Sequence, residues 1–280
     1  MNRDKYQPQA RRAVLGCLAA AVSLSFFATS ASAVTPAEIK AKGKVVIGIQ
    51  AANPPWGFID ATSGAADGID ADMGKAFAEE LGVKAEFVGL EVANRIPALT
   101  SGRVDVLFAT MAMLPERAKS VQYSQPYIAN TTWLYGPKTT AVKADAEMGK
   151  LTIGVPRAST MDTDITKRAP SGTNILRFDN DAATIQAMLS GQVQAVGGNM
   201  FYQRRLDEAK AGTYERKLEF TRLYNGACSR LGEKELNAAL NAFIDKIKAN
   251  GTLARIQQKW TGGAMLDFPA SVDGVPFVAK

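Results

Sequence analysis

The stretch "GRVDVLFATMAMLPERAKSVQYSQPY", residues 102–127, decides how this chain is read. Val104 to Phe108 is a short, continuous apolar run of the kind that forms a buried strand. It breaks into a small-residue turn. The turn then leads to Pro115, Glu116 and a lone arginine, Arg117. A cation placed just past the end of a buried strand asks for a partner, because ligands of α/β sheets sit outside the carboxyl ends of strands.

Upstream of this stretch, "KVVIGIQ" (44–50) is β-branched and continuous and predicts a strand. "NPPWGFID" (53–60) must be a loop, since its two prolines forbid regular pairing. "DADMGKAFAEELG" (70–82) predicts a helix with Asp70 or Asp72 as its N-cap. Met73, Phe77 and Leu81 share one face of it, and Gly82 stops it. "KAEFVGL" reads as the next strand, and "RIPALTSG" as a short helix before the strand at 104–108. The order β-α-β-α-β argues for a three-layer α/β lobe with a mostly parallel sheet.

Downstream the pattern recurs with different residues. "KLTIGVP" (150–156) predicts a strand. "STMDTDITKRA" (159–169) predicts a helix capped by Ser159 or Thr160, and "NILRF" a strand. "DAATIQAMLSG" (181–191) predicts a helix and "VQAVGG" (193–198) a strand. A helical tract covers 233–260, with Leu236, Leu240, Phe243, Ile247, Leu253 and Ile256 on its apolar face and Gly251 interrupting it. Residues 264–280 show no periodicity and read as a loose tail. Two similar lobes imply a cleft between them.

Composition narrows the chemistry. The 280 residues are 46% apolar and 21% charged, with no histidine at all. That excludes His-based triads and His metal sites. The two cysteines, Cys17 and Cys228, cannot make a zinc site or a disulfide framework. Cys228 reads as a small buried thiol, the acids of "GIDADMG" lack calcium-loop spacing, and no glycine run forms a phosphate loop. No metal and no cofactor are expected.

Residues 1–33 read as an export signal. Arg3, Lys5, Arg11 and Arg12 form a basic start, an apolar stretch runs from Ala13 to about Ala28, and "ASA" at 31–33 offers a cleavage site. The apolar stretch is shorter than the ~20 residues of a spanning helix. "RRAVL" resembles a twin-arginine signal only loosely, and Cys17 stands too early for a lipid-anchored start. Cleavage near Ala33 removes four basic side chains and one acid and lowers the formal charge from +6 to +3. So mild a charge argues against nucleic acid as a partner.

The order of motifs resembles the extracellular solute-binding proteins of the polar amino-acid type, the periplasmic receptors of ABC importers. The matching stretches are "VVIGIQAANPPWGFID", "ADGIDADMGKAFAEELG", "RIPALTSGRVDVLFATMAMLPERAKSVQYSQPY", "KLTIGVPRAST", "MLSGQVQAVGG" and "IKANGTLARIQQKW". They run in order from about Lys44 to Trp260. The resemblance implies a type II periplasmic-binding-protein fold, α/β, with two three-layer lobes joined by a two-strand hinge. Residues 34–135 with 225–263 would form lobe 1, residues 136–224 an inserted lobe 2, and 264–280 the tail. The hinges would lie near Tyr135 to Lys138 and Leu223 to Gly226. It further implies a periplasmic monomer that captures a small carboxylate-bearing solute, an amino acid or a related compound, and hands it to an inner-membrane ABC permease.

In that family the arginine after the third-strand turn holds the ligand's carboxylate, which gives Arg117 its role. A guanidinium is a planar fork of donors suited to two carboxylate oxygens. The N–H groups around Thr110 and Ala112 would add donors, and Ser159 and Thr160 would open a helix whose free amides attract an anion. Arg117 is also readable as a surface arginine paired with Glu116 or Asp105, and Ser159 with Thr160 as a plain helix cap. Trp56 stands where the family carries a ring over the ligand side chain, beside Asn53. Core filling is the other reading of Trp56, and the better one for Phe58.

Two positions depart from the family pattern. Asn199 stands where an aspartate usually takes the ligand's ammonium, and Ala112 and Leu114 replace hydroxyl residues. Glu91 or Asp162 would have to supply the missing carboxylate. The resemblance leaves an enzymatic alternative, a cyclohexadienyl or prephenate-type dehydratase on the same fold, whose general acid would be a carboxylic acid or lysine. A sensory receptor domain is a third class, but those are usually fused to a membrane or signalling segment.

Overall fold

The structure, a computed structural model, describes residues 33–265 and 267–279. The export signal expected over residues 1–33 lies outside the described residues except for Ala33.

The first half opens with α1 (Pro36–Lys42), whose start is closed reciprocally. The Thr35 hydroxyl accepts from the Glu38 N–H, and the Glu38 carboxylate accepts from the Thr35 N–H. There follow β1 (Lys44–Gln50), β2 (Ala52–Asn53), β3 (Gly57–Ile59), β4 (Ala66–Asp67), α2 (Ile69–Leu81), β5 (Lys84–Leu90), α3 (Arg95–Thr100), β6 (Val106–Leu107) and α4 (Pro115–Ala118). The long strand β7 (Gln122–Pro137) leaves this half. The second half holds β8 (Thr152–Pro156), α5 (Thr160–Arg168), β9 (Asn174–Phe178), α6 (Asp181–Leu189), β10 (Ala195–Asn199) and α7 (Tyr202–Ala209). β11 (Tyr214–Ser229) returns, and α8 (Lys234–Ala249) and α9 (Thr252–Thr261) complete the first half.

The main sheet is continuous, eight strands in the order β5-β1-β6-β11-β7-β10-β8-β9. Each flank is a set of three parallel strands, and between them β7 and β11 run antiparallel as a ribbon of two sixteen-residue strands. β10 pairs with Thr132–Tyr135 of β7, so those residues belong to the second flank. The stretch Ile128–Thr131 and its partners Arg222–Asn225 pair with neither β6 nor β10. Apolar helix faces cover both sides. Phe77, Phe108, Tyr127 and Phe243 meet in the first half's core, and Tyr135, Ile185, Val196 and Tyr202 in the second's. The fold is α/β, as the alternation of periods requires.

The structure changes several local expectations. The helix α2 starts at Ile69, one residue before Asp70 and three before Asp72, and neither acid caps it. Its N-cap is Gly68, at φ 108, where an added Cβ would lie 2.7 Å from the Trp56 carbonyl. Only glycine fits that close approach. The loop 53–60 is a hairpin of β2 and β3 with both prolines at its tip. The tail is packed rather than loose at its end. Val275 is 3% exposed, Gln122 Nε2 donates to the Pro276 carbonyl at 2.9 Å, and Asn241 Nδ2 to that of Phe277 at 2.7 Å. No helix among the described residues is long and apolar enough to cross a membrane.

Candidate functional site

A cavity lies between the two halves, beneath the carboxyl ends of their parallel strands. On the first side the chain leaves β6 and turns at Thr110, a non-glycine residue at φ 52. Left-handed backbone at such a residue needs support from its surroundings. Asp70 supplies it. Thr110 Oγ1 donates to Asp70 Oδ2 at 2.9 Å, and the Tyr127 hydroxyl donates to Oδ1 at 2.8 Å. Asp70 is fully buried, and that burial pushes its carboxyl up to about 6 against the pull of the two hydroxyls.

Arg117 follows on α4. Its Nη1 donates to the Ala112 carbonyl at 3.4 Å, and its Nη2 reaches across to the Ala158 carbonyl of the second half at 3.1 Å. The acids that could have neutralised it are engaged elsewhere. Glu116 pairs with Lys119 at 2.9 Å, and Asp105 Oδ2 accepts from the Val46 N–H at 2.9 Å. Among the described residues Arg117 meets no carboxylate.

The second side repeats the device. After β8 the chain turns at Ala158, again left-handed at φ 58. Ser159 then caps α5, its hydroxyl accepting from the Asp162 N–H at 3.0 Å, and Thr160 is the first helical residue. Asp162 accepts from the Ala158 N–H at 3.2 Å and pairs with Arg177 at 2.9 Å, so it braces the turn and does not line the cavity. Asn199 ends β10. Its Nδ2 donates across the cleft to Asn53 Oδ1 at 3.1 Å and within its own half to Asp181 Oδ1 at 3.3 Å, while its Oδ1 accepts from the Phe201 N–H. The amide is therefore a tie between the halves. Gly198 beside it makes room for the Tyr202 ring, which a Cβ would meet at 2.1 Å, and the Tyr202 hydroxyl donates to Asp181 Oδ1 at 2.9 Å.

Asn53, Thr110, Ala112, Arg117, Ser159, Thr160 and Asn199 thus line one cavity. Trp56 does not. It is 0% exposed, packs in the first core, and stands edge-to-face against Phe201 of the second half at 5.2 Å. Phe58 packs on Trp260 and Glu91 is also outside the lining. Five polar lining residues escape the sequence reading: Gln50, whose Oε1 accepts from Asn53 Nδ2 at 3.1 Å, and Arg95, Asn130, Asp181 and Asn225. Arg95 and Asp181 had a signal, since each begins a helix just past a strand's carboxyl end. The two asparagines sit on the long strands and had none.

Burial shapes the charges here. Arg95 is held down to about 10, chiefly by burial and then by the charge of Arg117. Asp181 is raised, chiefly by burial, against the pull of Arg205 and the Tyr202 hydroxyl. The cavity measures only ≈ 20 Å³, room for about one water. A guest the size of an amino acid enters only when the halves part or Arg117 swings off Ala158.

A family model, bacterial extracellular solute-binding proteins, family 3, matches residues 45–263. The ABC transporter glutamine-binding protein of Bacillus subtilis (strain 168) is 30% identical over 231 residues, which is 81% of this chain and 84% of that protein. The L-arginine-binding protein of Pseudomonas aeruginosa is 30% identical over 261 residues, 89% of this chain and 95% of that protein. Among solved structures, an ancestral amino acid-binding protein, a precursor of cyclohexadienyl dehydratase, superposes with a TM-score of 0.74 at 28% identity, covering 80% of this chain and 98% of its own. The match spans the strands, both turns and the cavity between them, and the chain belongs to the bacterial extracellular solute-binding proteins, family 3.

Proposed function

We propose that this chain is the periplasmic substrate-binding component of an ABC importer, and that it captures an amino acid by closing two lobes on its carboxylate. One observation carries the reading. Among the described residues the Arg117 guanidinium has no carboxylate partner, and it spans the cleft to the Ala158 carbonyl, one residue before the α5 cap. A ligand carboxylate there would meet the guanidinium from one lobe and helix N–H groups from the other. Contacts available only in the closed form are what drive closure. Bending would then fall at Ile128–Thr131, ahead of the hinge expected near Tyr135 to Lys138, and at Arg222–Asn225, which overlaps the one expected at Leu223 to Gly226. The receptor acts as a monomer and hands its solute to an inner-membrane permease.

The test is a thermal-shift screen of the purified protein against the twenty amino acids, because a ligand that binds only the folded form raises the melting point by mass action. At least one should raise it, and Arg117→Ala should abolish the shift. No stabilisation by any of them would overturn the reading.

One observation favours a catalytic alternative. Asp181 is a buried acid of raised proton affinity that lines the cavity, as a dehydratase's general acid would. Incubation with prephenate and arogenate decides it, with an aromatic product ruling for the enzyme and unchanged substrate for the receptor.

A further inference from the structure

Arg117 accounts for one charge in the cavity and leaves two more, Arg95 and Asp181, with a fourth group, Asn225, beside them. Arg95 is 4% exposed. Its Nε donates to the Val92 carbonyl at 2.8 Å and its Nη1 to those of Ala109 and Thr110 at 2.8 and 3.1 Å. Three main-chain carbonyls fix the plane of the guanidinium without neutralising it. Among the described residues it forms no ion pair, and its Nη2 has no partner. Asp181 across the cavity attracts this guanidinium without touching it, and a buried cation with no carboxylate in contact is costly unless something arrives to pair with it.

Asn225 points the same way independently. It is 0% exposed, and both Nδ2 and Oδ1 are buried without a hydrogen-bond partner among the described residues. Buried amides are ordinarily satisfied, so an idle one that lines a cavity marks the place of a guest's polar atoms. On the opposite wall Asp181 is 2% exposed, and the Asn199 and Tyr202 contacts both fall on Oδ1. Its Oδ2 receives no side-chain donor among the described residues.

Two guanidinium groups and one carboxylate are the charge mirror of two carboxylates and one ammonium. We propose that the solute is an acidic amino acid, with its α-carboxylate on Arg117, its second carboxylate on Arg95 and the Asn225 amide, and its ammonium on Asp181. This rests on the reading of the chain as an amino-acid receptor and names the solute class within it. Asp181 then does the work that a carboxylate at position 199 would have done, and Asn199 is free to tie the lobes. A side-chain amide brings no charge to Arg95, and a cationic side chain brings the wrong one.

Calorimetry of the purified protein with L-glutamate, L-aspartate, L-glutamine, L-asparagine, L-arginine and glutarate tests the assignment. Glutamate or aspartate should bind at least about tenfold tighter than its own amide, than arginine and than glutarate, which lacks the ammonium. In Arg95→Gln that preference for acid over amide should vanish. In Asp181→Asn the advantage of glutamate over glutarate should vanish while glutarate itself still binds. Should a variant fail to fold, which its melting curve reveals, the ranking by the unmodified protein decides alone. Tighter binding of a neutral or cationic amino acid overturns the acidic assignment and leaves the receptor reading standing. Failure of every amino acid to bind overturns both.

Discussion

The two flanks of the sheet repeat one plan and give the cavity opposite chemistry. Each is a trio of parallel strands, and each ends a strand in a left-handed turn at a residue with a side chain, Thr110 on one side and Ala158 on the other. The first turn is braced from within the core by Asp70, the second from the surface by Asp162 and Arg177. The first wall offers two arginines fixed on main-chain carbonyls. The second offers an aspartate and a helix mouth. Topology sets where the groups stand, and the residues alone decide what they hold. A repeated plan therefore does not imply repeated recognition.

The contrast can be broken most sharply at its cationic wall. Arg117→Ala should weaken the best-bound amino acid by about 3–4 kcal/mol, several hundredfold, as expected when one partner of a desolvated charge pair is removed. Calorimetry reads this directly, and a loss under about tenfold would mean that the carboxylate rests elsewhere.

The braces come next. Burial keeps the Asp70 carboxyl protonated up to about pH 6 in the folded chain, whereas an ordinary aspartate in the unfolded chain ionises near ~3.9. Between those limits the folded state binds the extra proton. Stability owed to this group therefore falls as pH rises from about 4 to about 6, by up to about 3 kcal/mol, and is flat above. Asp70→Asn should remove that slope. Urea melts at intervals from pH 4 to 7 compare the two proteins, and parallel profiles would show that Asp70 does not titrate there.

A smaller effect is expected at the tie between the walls. Asn53→Ala deletes the cross-cleft acceptor of Asn199 at a cost of about 1 kcal/mol to the closed form, about fivefold in affinity. Unchanged binding would show that the tie is made equally well when the halves are apart. Least of all should follow from Trp56→Phe, which removes a buried indole N–H that has no partner among the described residues. The melting temperature should move by no more than about 3 °C. A larger drop, or a loss of affinity, would return the ring to the solute.

How much of this was legible follows from periodicity. The six principal parallel strands and their helices announce themselves through apolar runs bounded by glycine and proline, and Arg117 stands out as a cation just beyond one of them. The sequence is silent where a contact joins distant residues. Asp70 looks like a cap because acids favour helix starts, yet the close approach of Gly68 to the Trp56 carbonyl starts the helix earlier and turns Asp70 inward. Trp56 has an aromatic neighbour 145 positions along the chain, Phe201, that no local pattern reveals. Arg95 reads as the first residue of a helix, and only the fold shows that it is buried on three carbonyls. Asn225 lies in a strand where an amide normally means little, and its idle bonds become meaningful once its surroundings are known.

The ribbon of β7 and β11 also fixes an order in time. The first half's core needs Leu236, Leu240, Phe243 and Leu253 to cover Ile47, Phe77 and Phe108, whereas the second half's elements are contiguous between β7 and β11. A chain that emerges from its N-terminus meets those late partners last. The middle of the sequence can become native while the beginning waits for the end, so truncation before α8 should spare the inserted half and leave the outer one without its core.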